Sequence, residues 1–182
     1  MGERKDPALD ELAIREFLQT HGRRIVAGLS ILAGSQAVAE EAVQEALARA
    51  WERSERGERI ESLAGWVATV ATNILRSARR RRAVERRARA RLGGTLRDIG
   101  AFAEGVAEDR IDVGRAIRSL PERQRAVVIL HYYADMDLAR IADALSTSEG
   151  AVKQVLHRAR RSLAKGLLSQ REMEGEDSVR DR

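Results

Sequence analysis

Residues 138–160 of the chain read Leu138-Ala-Arg-Ile-Ala-Asp-Ala-Leu145, then Ser-Thr-Ser148, then Glu149-Gly-Ala-Val-Lys-Gln-Val-Leu-His-Arg-Ala-Arg160. The apolar spacing on both sides of the polar turn predicts two short helices, which together form a helix-turn-helix motif. Asp137 and Ser148 are suited to cap these helices, because a side-chain oxygen at that position accepts a hydrogen bond from a free backbone N–H. Ala142 is small enough to let the two helices approach closely.

The second helix of this motif has two chemically different sides. Its apolar side carries Val152, Val155, Leu156, Ala159 and Leu163, and its polar side carries Gly150, Lys153, Gln154, His157, Arg158 and Arg161. Cations can contact phosphates, while amide and guanidinium groups can hydrogen-bond to base edges in a major groove. The alternative is a basic surface helix in an ordinary helical bundle. The caps, the turn, the small alanine and the two-sided pattern together favour DNA binding.

The rest of the chain also shows helical periodicity, and with two prolines and little β-branched alternation we expect an all-α fold. The N-terminal half predicts one helix from about Asp10 to Ala33 and a second that follows Ser35 as N-cap. A charged loop, Glu52–Glu61, separates these from a third helix that begins at Ser62 and continues into an arginine block. The side chains predicted to face the core include Ile14, Phe17, Leu18, Ile25, Leu29 and Leu32 in the first helix and Leu63, Trp66, Val67, Val70 and Ile74 in the third.

The composition divides the chain into two small helical domains joined by a flexible linker. Residues 86–110 contain arginine, alanine and four glycines but few large apolar residues, so they cannot bury much surface. A second apolar cluster begins near Ile111, and Pro121 is suited to the first position of a helix. We therefore predict a domain at 1–85, the linker at 86–110, a helix-turn-helix domain at 111–168 and a polar, frayed tail at 169–182.

The net charge of +5 is unevenly distributed. Residues 76–97 contain ten arginines and one acid, Glu85, whereas residues 1–75 carry a net charge of −3. A second basic segment, Gly150–Leu168, contains five cations and no acid. Arginine supplies 30 of the 33 basic residues, and its planar guanidinium suits phosphate oxygens. The pattern indicates two separate contacts with a polyanion, the alternative being two solvated arginine-rich helix faces.

The residue inventory argues against several classes of protein. There is no cysteine, and the three histidines, His21, His131 and His157, are widely spaced, so we expect no disulfide, no metal site and no cofactor. No catalytic constellation is evident, and the chain is not expected to be an enzyme. No apolar run approaches the roughly 18 residues of a membrane span. We expect a cytoplasmic protein without membrane insertion.

Three motifs resemble those of bacterial sigma factors. Residues 119–133, Ser-Leu-Pro-Glu-Arg-Gln-Arg-Ala-Val-Val-Ile-Leu-His-Tyr-Tyr, together with the helix-turn-helix, resemble the C-terminal promoter-binding domain. Ala39-Glu-Glu-Ala-Val-Gln-Glu45 resembles the helix that docks on RNA polymerase, and Gly65-Trp-Val-Ala-Thr-Val-Ala-Thr-Asn73, followed by arginines, resembles the promoter-melting helix. This two-domain layout is similar to that of the extracytoplasmic-function group of the sigma-70 family.

The resemblance implies a role for each motif in transcription initiation at a promoter. The docking face for the β′ clamp helices of core RNA polymerase would comprise Glu40, Glu41, Gln44, Glu45 and Trp51, beside an apolar ridge of Val43, Leu47 and Trp51. The −10 element would be recognised and melted by the loop Ser54–Ser62 with Asn73, Arg76, Arg79, Arg80, Arg81 and Arg82. The −35 element would be contacted by Lys153, Gln154, His157, Arg158 and Arg161.

The resemblance further implies as partners promoter DNA, the β flap of the polymerase and an anti-sigma protein of the kind that holds members of the group inactive. Val155 stands where the family often has arginine and Arg140 where it often has glutamate, so the −35 preference is expected to differ. The alternative function is a stand-alone helix-turn-helix regulator that binds an operator as a dimer through its N-terminal helices. A nucleic-acid enzyme is the third and least supported reading.

Overall fold

The computed structural model describes residues 9–91 and 108–180, with side chains for 9–89 and 113–167. All regular elements in these ranges are helical, and the chain divides into two compact units, Met1–Phe102 and Ala103–Arg182, so the all-α, two-domain prediction is confirmed. Most of the predicted linker lies outside the described residues, and its described ends, 86–91 and 108–110, are helical. No helix in the described ranges is long and apolar enough to cross a membrane.

The N-terminal unit contains α1 (Glu11–Phe17), a π-helical turn (Leu18–Gly22), α2 (Arg23–Ala33), α3 (Gln36–Glu55) and α4 (Leu63–Arg91). Asp10 caps α1, since its carboxylate accepts a hydrogen bond from the Ala13 N–H at 2.8 Å. Gly34 ends α2 with a φ of 78°, in the left-handed region that glycine adopts without strain. Ser35 caps α3 as predicted, by accepting a hydrogen bond from the Val38 N–H.

The single helix predicted from Asp10 to Ala33 is interrupted by the π-helical turn. A π turn contains more residues than an α turn, so it shifts the apolar stripe around the helix axis. Phe17 and Ile25 on either side of the turn remain buried, but the side chain of Leu18 is 48% exposed. The prediction that Leu18 faces the core is therefore wrong, because it assumed one uniform helical period across the turn.

The predicted loop Glu52–Glu61 is shorter than expected, because α3 continues to Glu55. Arg56 is the C-cap residue, its N–H donates to the Glu52 carbonyl, and Gly57 follows with a φ of 77°. Ser62 then starts α4 as predicted, its hydroxyl accepting a hydrogen bond from the Gly65 N–H at 3.2 Å. Glycine, rather than the preceding run of charged residues, marks where the helix ends.

The core of the N-terminal unit lies between α2, α3 and α4. The inner side of α3 carries four buried alanines, which we call the alanine stripe, and its members are Ala39, Ala42, Ala46 and Ala50. Larger buried side chains come from the neighbouring helices, namely Ile25 and Leu29 on α2 and Val67 on α4. Small side chains on the central helix let its two neighbours pack close to it.

The C-terminal unit contains α5 (Glu108–Ser119), α6 (Glu122–Tyr132), α7 (Leu138–Ala144) and α8 (Glu149–Arg180). Pro121 is the N-cap residue of α6, so the helix begins at Glu122, one residue later than predicted. Arg125 holds the end of α5, since its guanidinium donates to the carbonyls of Arg118 and Leu120. The backbone of α8 continues through 169–180, where the sequence predicts a frayed tail. The core is formed by Val127, Val128, Ile129, Leu130, Ile141, Val152, Leu156 and Ala159.

Candidate nucleic-acid interfaces

The helix-turn-helix predicted at residues 138–160 is formed by α7, a four-residue turn and the start of α8. Both predicted caps are present. Asp137 accepts a hydrogen bond from the Arg140 N–H at 2.8 Å, and Ser148 accepts one from the Ala151 N–H at 3.2 Å. Ala142 is buried where the two helices meet, as its small side chain predicts. The first turn of the second helix is therefore held by local hydrogen bonds.

The turn between the helices contains Ser146 with a φ of 50°, a left-handed conformation that costs a non-glycine residue about 1–2 kcal/mol. The side chain of Ser146 is exposed. Its backbone N–H donates to the Asp143 carbonyl, and the Thr147 N–H donates to the Ala142 carbonyl at 2.9 Å. These hydrogen bonds keep the chain in the strained conformation that the turn requires.

Replacement of Ser146 by glycine is expected to stabilise the C-terminal unit by about 0.5–1 kcal/mol, because the relief of strain exceeds the added entropy of the unfolded chain. Urea denaturation followed by circular dichroism measures the change. The matched control is Ser162→Gly, an exposed serine within α8, which should destabilise the unit by a similar amount. Destabilisation by both substitutions would contradict the strain at Ser146.

A contact from α6 also holds the turn. The Arg123 guanidinium donates to the Thr147 hydroxyl at 2.8 Å, which joins the first turn of α6 to the helix-turn-helix. The two residues are 24 positions apart, so no local sequence pattern predicts the contact. Arg123 therefore acts as a positioning residue for the turn and the helix that follows it.

The two sides predicted for α8 are confirmed by its packing. Val152, Leu156 and Ala159 are buried, and Val155 and Leu163 are half-buried. The candidate −35 residues Lys153, Gln154, His157, Arg158 and Arg161 are all exposed, as is Gly150. We call these six exposed residues the reading face. It contains three cations and no acid, so it is chemically suited to approach a polyanion.

Arg160 lies beside the reading face but is engaged within the unit. Its Nε donates to the Tyr132 hydroxyl at 2.8 Å, and its guanidinium carbon lies 5.7 Å from the centroid of the tyrosine ring. Both interactions join α8 to the end of α6. In the sequence Arg160 is one cation of the basic segment, and no local pattern predicts its bond to a tyrosine 28 positions away. Arg160 therefore anchors α8 to the end of α6.

The arginine block of the N-terminal unit lies on α4. Asn73, Arg79, Arg80, Arg81 and Arg82 are exposed, and Arg76 is half-buried. The Arg80 guanidinium donates to the Ser77 hydroxyl at 2.9 Å. The six candidate −10 residues thus belong to one helix, which extends well beyond them to Arg91. A helix surface of this charge can contact several phosphates.

The loop before α4 carries acids that would oppose a nucleic-acid strand, but one of them is neutralised within the loop. Glu58 lies 2.9 Å from an Arg53 guanidinium nitrogen and 3.3 Å from Arg56 Nε. Ser54 accepts a hydrogen bond from the Leu9 N–H at 2.6 Å. The two ion pairs hold Glu58 against the end of α3 and offset its charge, while the Leu9 bond ties the segment before α1 to the same helix.

The acidic side of α3 is opposite its alanine stripe. Glu40, Glu41, Gln44 and Glu45 are exposed, and Trp51 is 38% exposed at the end of the same helix. Glu45 pairs with Arg49 at 2.8 Å, an exposed ion pair that contributes little stability. Val43 is only 4% exposed, so the predicted ridge of Val43, Leu47 and Trp51 is wrong in its first member. Val43 packs into the core beside the alanine stripe.

Two family models match the chain in the regions that carry these surfaces. The model described as Sigma-70 region 2 matches residues 17–85, which include α3 and most of α4. The model described as Sigma-70, region 4 matches residues 110–163, which include the helix-turn-helix. The order of the two regions is the order expected from the sequence motifs.

Curated relatives and solved structures agree with these matches. The ECF RNA polymerase sigma factor SigL of Mycobacterium tuberculosis is 36% identical over 137 residues, which cover 72% of this chain and 76% of that protein. The ECF RNA polymerase sigma factor SigF of Caulobacter vibrioides is 31% identical over 159 residues, which cover 85% and 86%. The fold resembles that of the sigma factor RpoE of Bartonella quintana, solved in complex with the anti-sigma factor NepR, with a TM-score of 0.66 at 24% identity, covering 85% of this chain and 96% of that one.

Both sigma-70 regions are matched in order, and the relatives exceed 30% identity over most of their own length. The chain belongs to the extracytoplasmic-function group of the sigma-70 family, whose members bind core RNA polymerase, recognise promoters and start transcription.

Proposed function

We propose that the acidic side of α3 docks on the β′ clamp helices of core RNA polymerase. Glu40, Glu41, Gln44 and Glu45 are exposed on one side of the helix, and the partly exposed Trp51 offers apolar area beside them. The charges orient the partner and the aromatic ring contributes affinity, which is the usual division of roles in a protein interface. Because Val43 is buried, the apolar part of this face is limited to Leu47 and Trp51.

Reversal of two charges on this face is expected to weaken binding to core polymerase. In the double variant Glu40→Lys/Glu41→Lys we expect a loss of at least tenfold in affinity, because like charges then meet across the interface. Fluorescence anisotropy of the labelled protein against core polymerase measures the loss. The control Glu11→Lys/Glu16→Lys makes the same charge change at exposed positions of α1 and should bind normally. Equal loss in both variants would indicate a general charge effect and exclude a specific face.

In the same proposal, α4 and the loop before it act on the −10 element. Asn73 lies on the exposed side of α4, one to three turns before the arginines that would hold the phosphates around the melted segment. Extrusion of a base costs a few kcal/mol, which the loop and these phosphate contacts must offset. The pairing of Glu58 with Arg53 and Arg56 supports this role, since it lowers the repulsion between the loop and DNA.

The reading face of α8 would contact the −35 element in the major groove, with the β flap of the polymerase as the protein partner of the C-terminal unit. Because one chain carries both DNA-binding surfaces, binding of one surface to its element raises the effective concentration of the other surface near its own element. The protein would act in the cytoplasm, would perform no covalent chemistry and would be held inactive by an anti-sigma protein. RpoE of Bartonella quintana is bound by such a protein, NepR.

The observation that carries this proposal is the reading face, six exposed residues without an acid on a helix that starts at a capped turn. Run-off transcription with core polymerase on a promoter library tests it. We expect initiation at a defined class of promoters only when the protein is added. Operator binding without polymerase and no initiation would instead favour the stand-alone regulator, although that alternative gives the region matched as Sigma-70 region 2 only a dimerisation role.

A further inference from the structure

The second half of α4 extends past the core of its unit. Leu75 is the last buried residue among the side chains of α4 that the structure describes, which end at Arg89. Between Arg79 and Arg89 every side chain is exposed except that of the half-buried Ala83. We call the segment from Arg79 to Arg89 the overhang. It carries seven arginines and one acid, Glu85. Arginine and alanine are strong helix formers, so the overhang can be helical without burying an apolar side.

The arginines of the overhang are arranged in two stripes. One stripe continues the line of buried residues Ala68, Ala71 and Leu75 at spacings of three and four, so we call it the core-side stripe. It consists of Arg79, Arg82, Arg86 and Arg89. The other stripe, which we call the Asn73 stripe, consists of Asn73, Arg76, Arg80, Val84 and Arg87. At about 100° per residue, the two stripes point about 140° apart around the helix.

This arrangement leaves Arg86 and Arg89, the far half of the core-side stripe, without an assigned partner. The proposed −10 contacts begin at Asn73, so a strand that lies along the Asn73 stripe leaves the core-side stripe facing elsewhere. The match to Sigma-70 region 2 ends at residue 85, so Arg86 and Arg89 lie beyond the matched part of the chain. Arg82, Arg86 and Arg89 are exposed, so in the described part of their unit these three arginines face solvent and are available to a polyanionic partner.

The chemistry of the core-side stripe fits phosphates better than an acidic protein. A protein interface usually has an apolar centre. The apolar side chains between these arginines are the small Ala83 and Ala88, which offer little apolar area, and the larger, exposed Val84 belongs to the other stripe. Guanidinium forks bind phosphate oxygens in a bidentate manner without apolar help. A helix in a major groove about 12 Å wide meets the phosphates of both strands with its two flanks.

We propose that Arg86 and Arg89, together with Arg82, bind phosphates of duplex DNA on the strand opposite the one that follows the Asn73 stripe. The inference rests on the proposed function for the assignment of the Asn73 stripe to promoter DNA. It adds a second row of contacts, and it extends the DNA-binding surface beyond the family-matched region.

The salt dependence of binding tests this inference. The affinity of the full-length protein for a labelled duplex of unrelated sequence is measured by anisotropy between about 50 and 200 mM salt, for the wild type and for Arg86→Ala/Arg89→Ala. Each lost phosphate contact lowers the slope of log affinity against log salt by about 0.9, so the double variant should lose about 1.8. Over that range the wild type should therefore lose about 12-fold more affinity than the variant. Alanine preserves the helix, so unfolding does not confuse the result.

The control Arg15→Ala/Arg23→Ala removes the same charge from exposed positions of α1 and α2 and should keep the wild-type slope. On a single strand of the same sequence the salt slopes of the variant and the wild type should differ little. A single strand would lie along the Asn73 stripe and would not contact Arg86 and Arg89. Equal slopes on the duplex, or an equal difference on the single strand, would overturn the inference.

Binding of the same variants to core polymerase, together with initiation by the wild type, distinguishes a DNA partner from an acidic protein partner and the inference from the proposed function. Normal duplex slopes with weakened polymerase binding would assign the stripe to an acidic protein surface and overturn the inference. If the slope difference is found but the wild type does not initiate with core polymerase, the phosphate contacts are supported and the proposed function fails.

Discussion

Replacement of Ile141 by alanine is expected to destabilise the C-terminal unit by about 2–5 kcal/mol, because a buried isoleucine is replaced by a cavity that the surrounding helices close only in part. Ile141 is fully buried on α7, a helix of seven residues that packs against α6 and α8. The loss is comparable with the whole stability of a small domain, which is about 5–15 kcal/mol. The reading face should be lost with the fold of this unit.

The distribution of aromatic residues lets the two units be followed separately. Both tryptophans, Trp51 and Trp66, belong to the N-terminal unit, and both tyrosines, Tyr132 and Tyr133, belong to the C-terminal unit. In a urea titration, the tyrosine signal should move to lower urea in Ile141→Ala while the tryptophan signal keeps its midpoint, because each unit has its own core. The control Val113→Ala removes an exposed side chain and should change the stability by less than about 0.5 kcal/mol. A shift below about 1 kcal/mol for Ile141→Ala would contradict the packing.

The double variant Lys153→Ala/Arg158→Ala is expected to abolish the preference for the −35 element. A good base contact contributes about 1–3 kcal/mol of discrimination between base pairs. The loss of two such contacts should therefore reduce the preference for the intact −35 element by about 30-fold or more. Run-off transcription compares a promoter with its −35 element intact and the same promoter with that element scrambled. The wild type should favour the intact promoter, and the variant should use both at the lower rate.

Two further measurements show whether the loss is specific. Binding to core polymerase should be unchanged, since the proposed contact with the β′ clamp helices lies in the other unit and Lys153 and Arg158 belong to the side of α8 that would face DNA. The control Arg115→Ala/Arg118→Ala removes two exposed arginines from α5, outside the reading face, and should keep the preference. A variant that loses activity equally on both promoters would indicate that Lys153 and Arg158 contact phosphates and not bases.

Features that depend on neighbouring residues in the chain are predictable from the sequence. The caps at Asp137 and Ser148 act over three residues, and the two sides of α8 follow from its period. Contacts over longer separations are not encoded in such patterns. The bonds of Arg123 to Thr147 and of Arg160 to Tyr132 join residues 24 and 28 positions apart, and only the fold brings them together.

The errors in the predicted helices have equally local causes. Leu18 was assigned to the core with a constant period of 3.6 residues, and the π-helical turn breaks that period. Val43 fits either the inner or the outer side of α3 by spacing alone, and packing against the neighbouring helices selects the inner one. The start of the predicted linker, residues 86–91, continues α4: it has no large apolar side chain, but its arginines and alanines have enough helix propensity to extend the helix.

Because the alanine stripe packs α3 into the core, the exposed residues on the other side of the helix can change without disturbing the fold. Its inner side consists of four alanines and Val43, which set the spacing to α2 and α4, and none of them reaches the outer surface. The acidic residues of the outer side contribute little to stability, because exposed charges on a helix are mostly solvated. Substitutions at Glu40, Glu41 or Gln44 should therefore change the binding preference of the proposed docking surface while the packing of α3 is retained. The exposed side of α3 can vary while its buried side stays the same. This property allows related proteins to diverge in partner preference, and it allows the exposed side to be engineered.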